Sequence, residues 1–294
     1  MTEQPARLCA DVSLDAQAEV AEGPTWDPIG QRLWWVDIPR GAIHQFDPAE
    51  GTDSVVYAGQ PVGAVVLRKG DGPLLAVRDG FAELRDGQMT VIAPVEDDRD
   101  QSRMNDGKVD PAGRFWAGTM ALDSTPGAGS LYRLDRHRRV ERVLTGLTIS
   151  NGLDWSPDGR TMYFIDSAHA GVQAFSYDDH SGAIREPRTL ISIPASAGMP
   201  DGMTVDSAGG LWVAIWGGAA VRHYSPDGTF IAEITLPVSQ VTSCAFGGPD
   251  LRDLYITTAS AGLSPTQRVE QPDAGALFRV RPGVTGRAPN LSQI

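Results

Sequence analysis

Apolar and polar positions along this chain repeat as one unit of short strands. Each unit has an apolar anchor, and the six anchors are Trp26, Leu67, Val109, Trp155, Val205 and Phe246, 41 to 50 residues apart. A polar turn follows most anchors: DPIG at 27–30, DPAG at 110–113, SPDG at 156–159 and DSAG at 206–209. Next come apolar runs rich in aromatic and β-branched residues: RLWWVDI (32–38), PLLAV (73–77), RFWAGTM (114–120), TMYFIDS (161–167), LWVAIW (211–216) and LYITTA (254–259). Bounded by turn residues, these read as strands. Alternating segments follow, AIHQFD (42–47), SLYRLD (130–135), VQAFSYD (172–178), VRHYSPD (221–227) and ALFRV (276–280), as expected for strands with one buried face. SVVYAG (54–59), MTVIA (89–93) and FIAEITL (230–236) supply fourth strands.

Six units of four strands predict an all-β, six-bladed β-propeller in one domain, 1–294. The blades fall roughly at 15–60, 61–100, 101–146, 147–196, 197–238 and 239–282. The sixth lacks a fourth strand, because RPGVTGRAPNLSQI follows Val280, while a surplus segment, RLCADVSL (7–14), precedes the first blade. Pairing of 7–14 with the last blade would close the ring and cover its open edge. No segment has sustained helical periodicity, which argues against an α/β barrel, and a β-helix needs a shorter period.

The 294 residues are 41% hydrophobic and 21% charged, the profile of a globular protein with a sizeable core. A net charge of −12 argues against nucleic acid as a partner, because phosphate binding relies on Lys and Arg. No run is long enough to span a bilayer and the first ten residues lack a signal-type apolar segment, so a cytoplasmic protein without membrane contact is expected, monomer or weak homodimer. The two cysteines, Cys9 and Cys244, form no disulfide framework or zinc pattern and are expected to be buried small apolar residues.

Four residues before the anchors stand Glu22, Gly63, Asn105, Asn151, Asp201 and Thr242. Equivalent positions of a closed repeat meet around its axis, here just ahead of each innermost strand at one mouth of the channel. Asn-Gly and Asp-Gly are ordinary turn dipeptides when met singly. Their fixed offset, and the inclusion of Glu22, point instead to a ring of ligands. Glu22, Asn151 and Asp201 offer three oxygen donors carrying two negative charges. Such donors suit Ca²⁺, Mg²⁺ or Mn²⁺, with Zn²⁺ or Fe²⁺ still open. Gly63 and Thr242 have no polar duty in this scheme and are expected to leave room for a ligand. The five histidines fall outside the ring and no GxSxG elbow is present, so metal-assisted attack by water is the chemistry the residues permit.

The segments EGPTWD, RMNDGKVDPAGRFWAGTM, SNGLDWSPDG, FIDS, PDGMTVDSAGGLWVA and FGGPDLRDLYITTA resemble the senescence-marker-protein/gluconolactonase family, also called regucalcin-like. The resemblance runs from about Glu22 to the AGALFRV strand. It implies a six-bladed propeller that hydrolyses sugar lactones with one divalent cation, Ca²⁺ foremost, in its channel. It implies Glu22, Asn151 and Asp201 as metal ligands, Asp201 also as catalytic general base, and Arg103 and Asn105 as substrate contacts. Asp123, in MALDST, stands where some members carry an acidic substrate contact. The implied substrate is a small sugar lactone, its carbonyl polarised by the cation and attacked by water. Two alternatives remain: phosphotriester hydrolysis on the same scaffold, and a non-catalytic calcium-binding propeller. The long segment 260–275 is either part of the pocket rim or a plain surface insertion.

Overall fold

In the computed structural model, which describes residues 7–70, 72–96 and 100–294, the repeating units are six sheets whose strands run outward antiparallel and in chain order, except where the N-terminal segment adds the outermost strand of blades five and six. The innermost strands are Ala21–Asp27, Val62–Val66, Ser102–Val109, Ser150–Trp155, Met199–Val205 and Val241–Gly247. Gly80–Arg85, Val140–Leu147 and Ile184–Ser192, which the sequence pattern had not marked, complete blades two, three and four. The two later ones are largely exposed and carry too little apolar alternation to be read.

Closure departs from expectation in one respect. Asp11–Leu14 pairs antiparallel with Leu277–Val280 and supplies the fourth strand of the last blade. Arg7–Cys9 instead runs parallel to Phe230–Thr235, the outer strand of blade five. The N-terminal segment thus covers two sheet edges and joins blades five and six, with Ala10 buried between them. Cys9 is exposed on this outer strand, contrary to expectation, whereas Cys244 is buried.

The hydrophobic core is divided into six clusters, one in each wedge between neighbouring blades. The wedge between blades six and one holds Trp26, Trp35, Phe46 and Tyr255, and that between three and four holds Trp116, Trp155 and Phe164. Burial of these large side chains fixes the angle between adjacent sheets, and so fixes what the inner strands present to the axis.

Every inner strand breaks register at the same place. The irregularities lie between Glu22 and Thr25, Val62 and Ala64, Met104 and Gly107, Ser150 and Leu153, Pro200 and Met203, and Val241 and Ser243. The six ring positions therefore lie inside the inner strands, at these irregularities, rather than ahead of them. A bulge bends the strand and re-aims its side chains, which turns these residues toward the axis.

Gly63 and Thr242 do not make room for a ligand. A Cβ on Gly63 would lie 1.9 Å from the carbonyl oxygen of Asn105, so the missing side chain lets blade two approach blade three. The Thr242 hydroxyl donates to the Ala21 carbonyl at 2.6 Å and pairs with Thr257 at 2.8 Å, stitching blade six to blade one. Gly63→Ala is accordingly expected to cost roughly 1–3 kcal/mol. Thermal denaturation should show a loss of several degrees, and an unchanged midpoint would show that the blades can separate freely.

The opposite mouth of the channel is crossed by the C-terminal tail. Arg287 donates to the carbonyls of Val205 (3.3 Å) and Trp155 (2.7 Å), Asn290 to that of Val109 (3.0 Å), and the Ser292 amide to that of Leu67 (2.8 Å). Four of the six anchors thus tie down a segment with no sheet strand of its own. Within 260–275, Pro265–Glu270 forms a short helix started by a capping box of Ser264 and Gln267. No helix among the described residues is long and apolar enough to cross a membrane.

Candidate functional site

A cavity of about 270 Å³ opens at the mouth opposite the tail, and four of the six ring positions line it. Glu22, Asn105, Asn151 and Asp201 reach it from blades one, three, four and five, all less than a tenth exposed. Arg103, two residues before Asn105 on the same strand, joins them. The rest of the wall is mostly apolar: Val20, Ile38, Met120, Ile149, Met199 and Trp216. No residue of 260–275 lines this cavity. That segment packs instead on the junction of blades five and six, with the Gln271 side chain accepting from Ser239.

Hydrogen bonds organise the carboxamides into a directed chain. Arg103 Nη1 donates to Asn105 Oδ1 at 2.7 Å, and Asn105 Nδ2 donates to the Ser150 carbonyl at 2.8 Å and to Asn151 Oδ1 at 3.3 Å. Asn151 Nδ2 donates to Ser167 Oγ at 3.0 Å, whose proton goes to the Pro200 carbonyl at 2.7 Å. On the other side, Glu22 Oε2 accepts from the Gly23 amide at 2.7 Å.

Burial sets the protonation of the site. The Glu22 carboxyl is pushed well above the usual carboxylate range by desolvation, then by the nearby charges of Asp201 and Asp106. Asp201 is raised likewise by desolvation and by Asp106, opposed by a hydrogen bond from the Asn151 side chain and by the charge of Arg103. Desolvation lowers Arg103 to about 10, against the pull of Glu22 and Asp201. Ionised together, these carboxylates would carry more negative charge than one weakened guanidinium balances, so in this site they hold protons or a cation. Among the described residues no three His, Cys, Asp or Glu side chains are placed to hold one metal ion between them. A cation here would therefore draw on a carboxamide and water beside the two carboxylates, an all-oxygen set that suits hard divalent ions.

Two parts of this region were not read from the sequence. Ser167 lines the cavity from the end of the second strand of blade four, in the segment FIDS, where nothing in the spacing separates it from a turn residue. Asp106 follows Asn105 in the bulge and faces the lower channel, a space of about 60 Å³ shared with Lys108, Asp154 and Arg287. Desolvation pushes Asp106 up to about 6. Despite its own burial, Asp154 is held below the usual range by Lys108 at 3.2 Å and Arg287 at 3.0 Å. The tail thus contributes a charge to the channel interior.

Asp123 is not brought to the ring. It is exposed, accepts from the Thr125 amide (3.0 Å) and hydroxyl (2.7 Å), and lines a separate cavity of about 540 Å³ with Gln101 and Ser102. The histidines stay out of the site. His44 stacks on Trp35 with centroids 3.6 Å apart, and His223 stacks on Trp212 at 3.9 Å.

Residues 20–260 match the SMP-30/Gluconolactonase/LRE-like region. The chain belongs to this family. A pentonolactonase, XacC of Haloferax volcanii, is 39% identical over 96% of this chain and 97% of its own. Regucalcin of Xenopus laevis is 38% identical over 92% of this chain and 94% of its own. Among solved structures, a calcium-binding regucalcin from Agrobacterium tumefaciens superposes with a TM-score of 0.94 at 30% identity, covering 98% of both chains. The SMP-30/gluconolactonase match spans the four blades that carry Glu22, Asn105, Asn151 and Asp201, and ends before the C-terminal tail.

Proposed function

We propose that this protein hydrolyses a sugar aldonolactone to its aldonic acid, using one divalent cation, Ca²⁺ foremost, held by Glu22, Asn151 and Asp201. The observation that carries the reading is the convergence of two buried carboxylates, two carboxamides and one arginine on a single cavity. The pentonolactonase relative supports the substrate class, and the calcium-binding regucalcin supports the choice of ion. When bound, the cation supplies Lewis acidity that polarises the lactone carbonyl. Asp201, buried at the cation site, would accept the proton of the attacking water. Arg103 and Asn105 orient the sugar hydroxyls, and the fixed amide of Asn105 spares the site from ordering it at each turnover. Asp123, held outside the cavity by its bonds to Thr125, has no part in this scheme. The apolar wall limits water around the reacting ester and strengthens these interactions.

Proton release on a panel of aldonolactones tests the reading, with protein stripped by chelator and reloaded with Ca²⁺, Mg²⁺, Mn²⁺, Zn²⁺ or Fe²⁺. Hydrolysis should disappear on stripping and return on reloading. Hydrolysis of a fluorophosphate but of no lactone would assign the scaffold to phosphotriesters, and inactivity on both would leave a cation-binding propeller.

A further inference from the structure

We propose that Ser167 is the positioning residue that fixes which end of the Asn151 carboxamide faces the cation. The proposal rests on the metal reading above and extends it to a side chain at the cavity wall that the metal reading does not use.

A carboxamide can present oxygen or nitrogen with nearly the same shape, and only the oxygen can bind a cation. Something must therefore choose the orientation before the cation arrives. Ser167 Oγ has one proton. The Pro200 carbonyl, 2.7 Å away, can only accept, so that proton is committed to it. The hydroxyl is then left as an acceptor toward Asn151 at 3.0 Å, and the atom facing it must be the donor, Nδ2. Oδ1 is turned away from Ser167, on the side of Asn105 Nδ2. All these groups are nearly excluded from water, with Ser167 5% and Asn151 4% exposed, so a flipped amide would set its oxygen against the hydroxyl oxygen with no solvent to relieve it.

The same hydroxyl also ties two blades together. It reaches from blade four to the carbonyl of Pro200, the residue just before Asp201 on blade five. Its own placement is secured by Asp166, whose carboxylate accepts from the amides of Thr148 (2.9 Å), Ile149 (3.0 Å) and Ala168 (3.3 Å) and so caps the turn that Ser167 opens. Ser167 thus stands on a rigid support and locks Asn151 and the backbone beside Asp201 in register.

Removing the hydroxyl takes away the acceptor that holds Asn151 Nδ2 on this side, leaves the amide to the 3.3 Å bond from Asn105 and to Asp201, and leaves the Pro200 carbonyl without its donor. Loss of a group that orients a metal ligand typically costs about 10–100-fold in metal affinity. The test is titration calorimetry with Ca²⁺ on four stripped proteins: wild type, Ser167→Ala, Asn151→Ala and the double variant. Ser167→Ala should weaken Ca²⁺ binding by about 10–100-fold, while the double variant should bind no more weakly than Asn151→Ala alone. Thermal denaturation without Ca²⁺ reports any purely structural damage, which would move the midpoint and leave the affinity in place. Equal Ca²⁺ affinity in wild type and Ser167→Ala overturns the proposal and leaves the metal reading standing. So does an equal loss in both backgrounds. No cation binding by wild type, with Ca²⁺ or the other four ions, overturns both.

Discussion

Asp201→Ala is expected to lose lactone hydrolysis by on the order of 10³-fold while folding normally. Two functions assigned to this carboxylate would be lost together, a ligand to the cation and the acceptor for the water proton. Its fold should survive for an electrostatic reason. Asp201 is buried near Asp106 and Glu22, and its carboxyl is raised because the ionised form is costly there. Removing it relieves a repulsion rather than breaking a support, so the stripped variant should melt no lower than stripped wild type. Asp201→Asn keeps the shape and removes the charge, and it should be nearly as inactive. Full activity in either variant would refute the assigned site.

Stripping the cation should lower the melting temperature, and the loss should grow as pH rises. The sign follows from the site. Glu22 and Asp201 have raised pKa values in the folded, metal-free protein, and Asp106 stands at about 6. An unfolded carboxyl titrates near 4. Below that value the protonated groups are buried at no electrostatic disadvantage. As pH rises through the folded pKa values the folded state must give up protons into a poorly solvated site, and that contribution to stability is lost. The metal-free midpoint should therefore fall across the window from about pH 4 to 6 and beyond. A cation displaces the same protons, so its affinity should rise with pH and its binding should release them. At a hundredfold excess over Kd, a cation contributes about 2.7 kcal/mol. Melting curves at pH 5 and pH 8, with and without Ca²⁺, give the comparison, and a cation-induced shift as large at pH 5 as at pH 8 would count against the two-carboxylate site.

The anchors, turns and apolar runs determine the propeller on their own, because the period is set by four strands and their turns and the inner strands are apolar enough to be buried on both faces between neighbouring blades. The spacing also singles out Glu22, Asn105, Asn151 and Asp201, since equivalent residues of a closed repeat have one axis to share. Local pattern could not decide what the same register does at Gly63 and Thr242. There the ring positions serve blade packing, through a 1.9 Å approach to a carbonyl and a hydroxyl bonded to the next blade. Asp123 lies only a few residues beyond a strand that reaches the cavity, yet its turn bonds hold it outside. Ser167 gains its part from Pro200, 33 residues away in the next blade. Arg287 gains its part from Asp154, 133 residues away across the channel. Periodicity is a property of one strand and its neighbours in sequence, so it fixes which side chains point inward. The direction of a hydrogen bond between blades depends on groups that only closure of the ring brings together, and that part belongs to the tertiary structure.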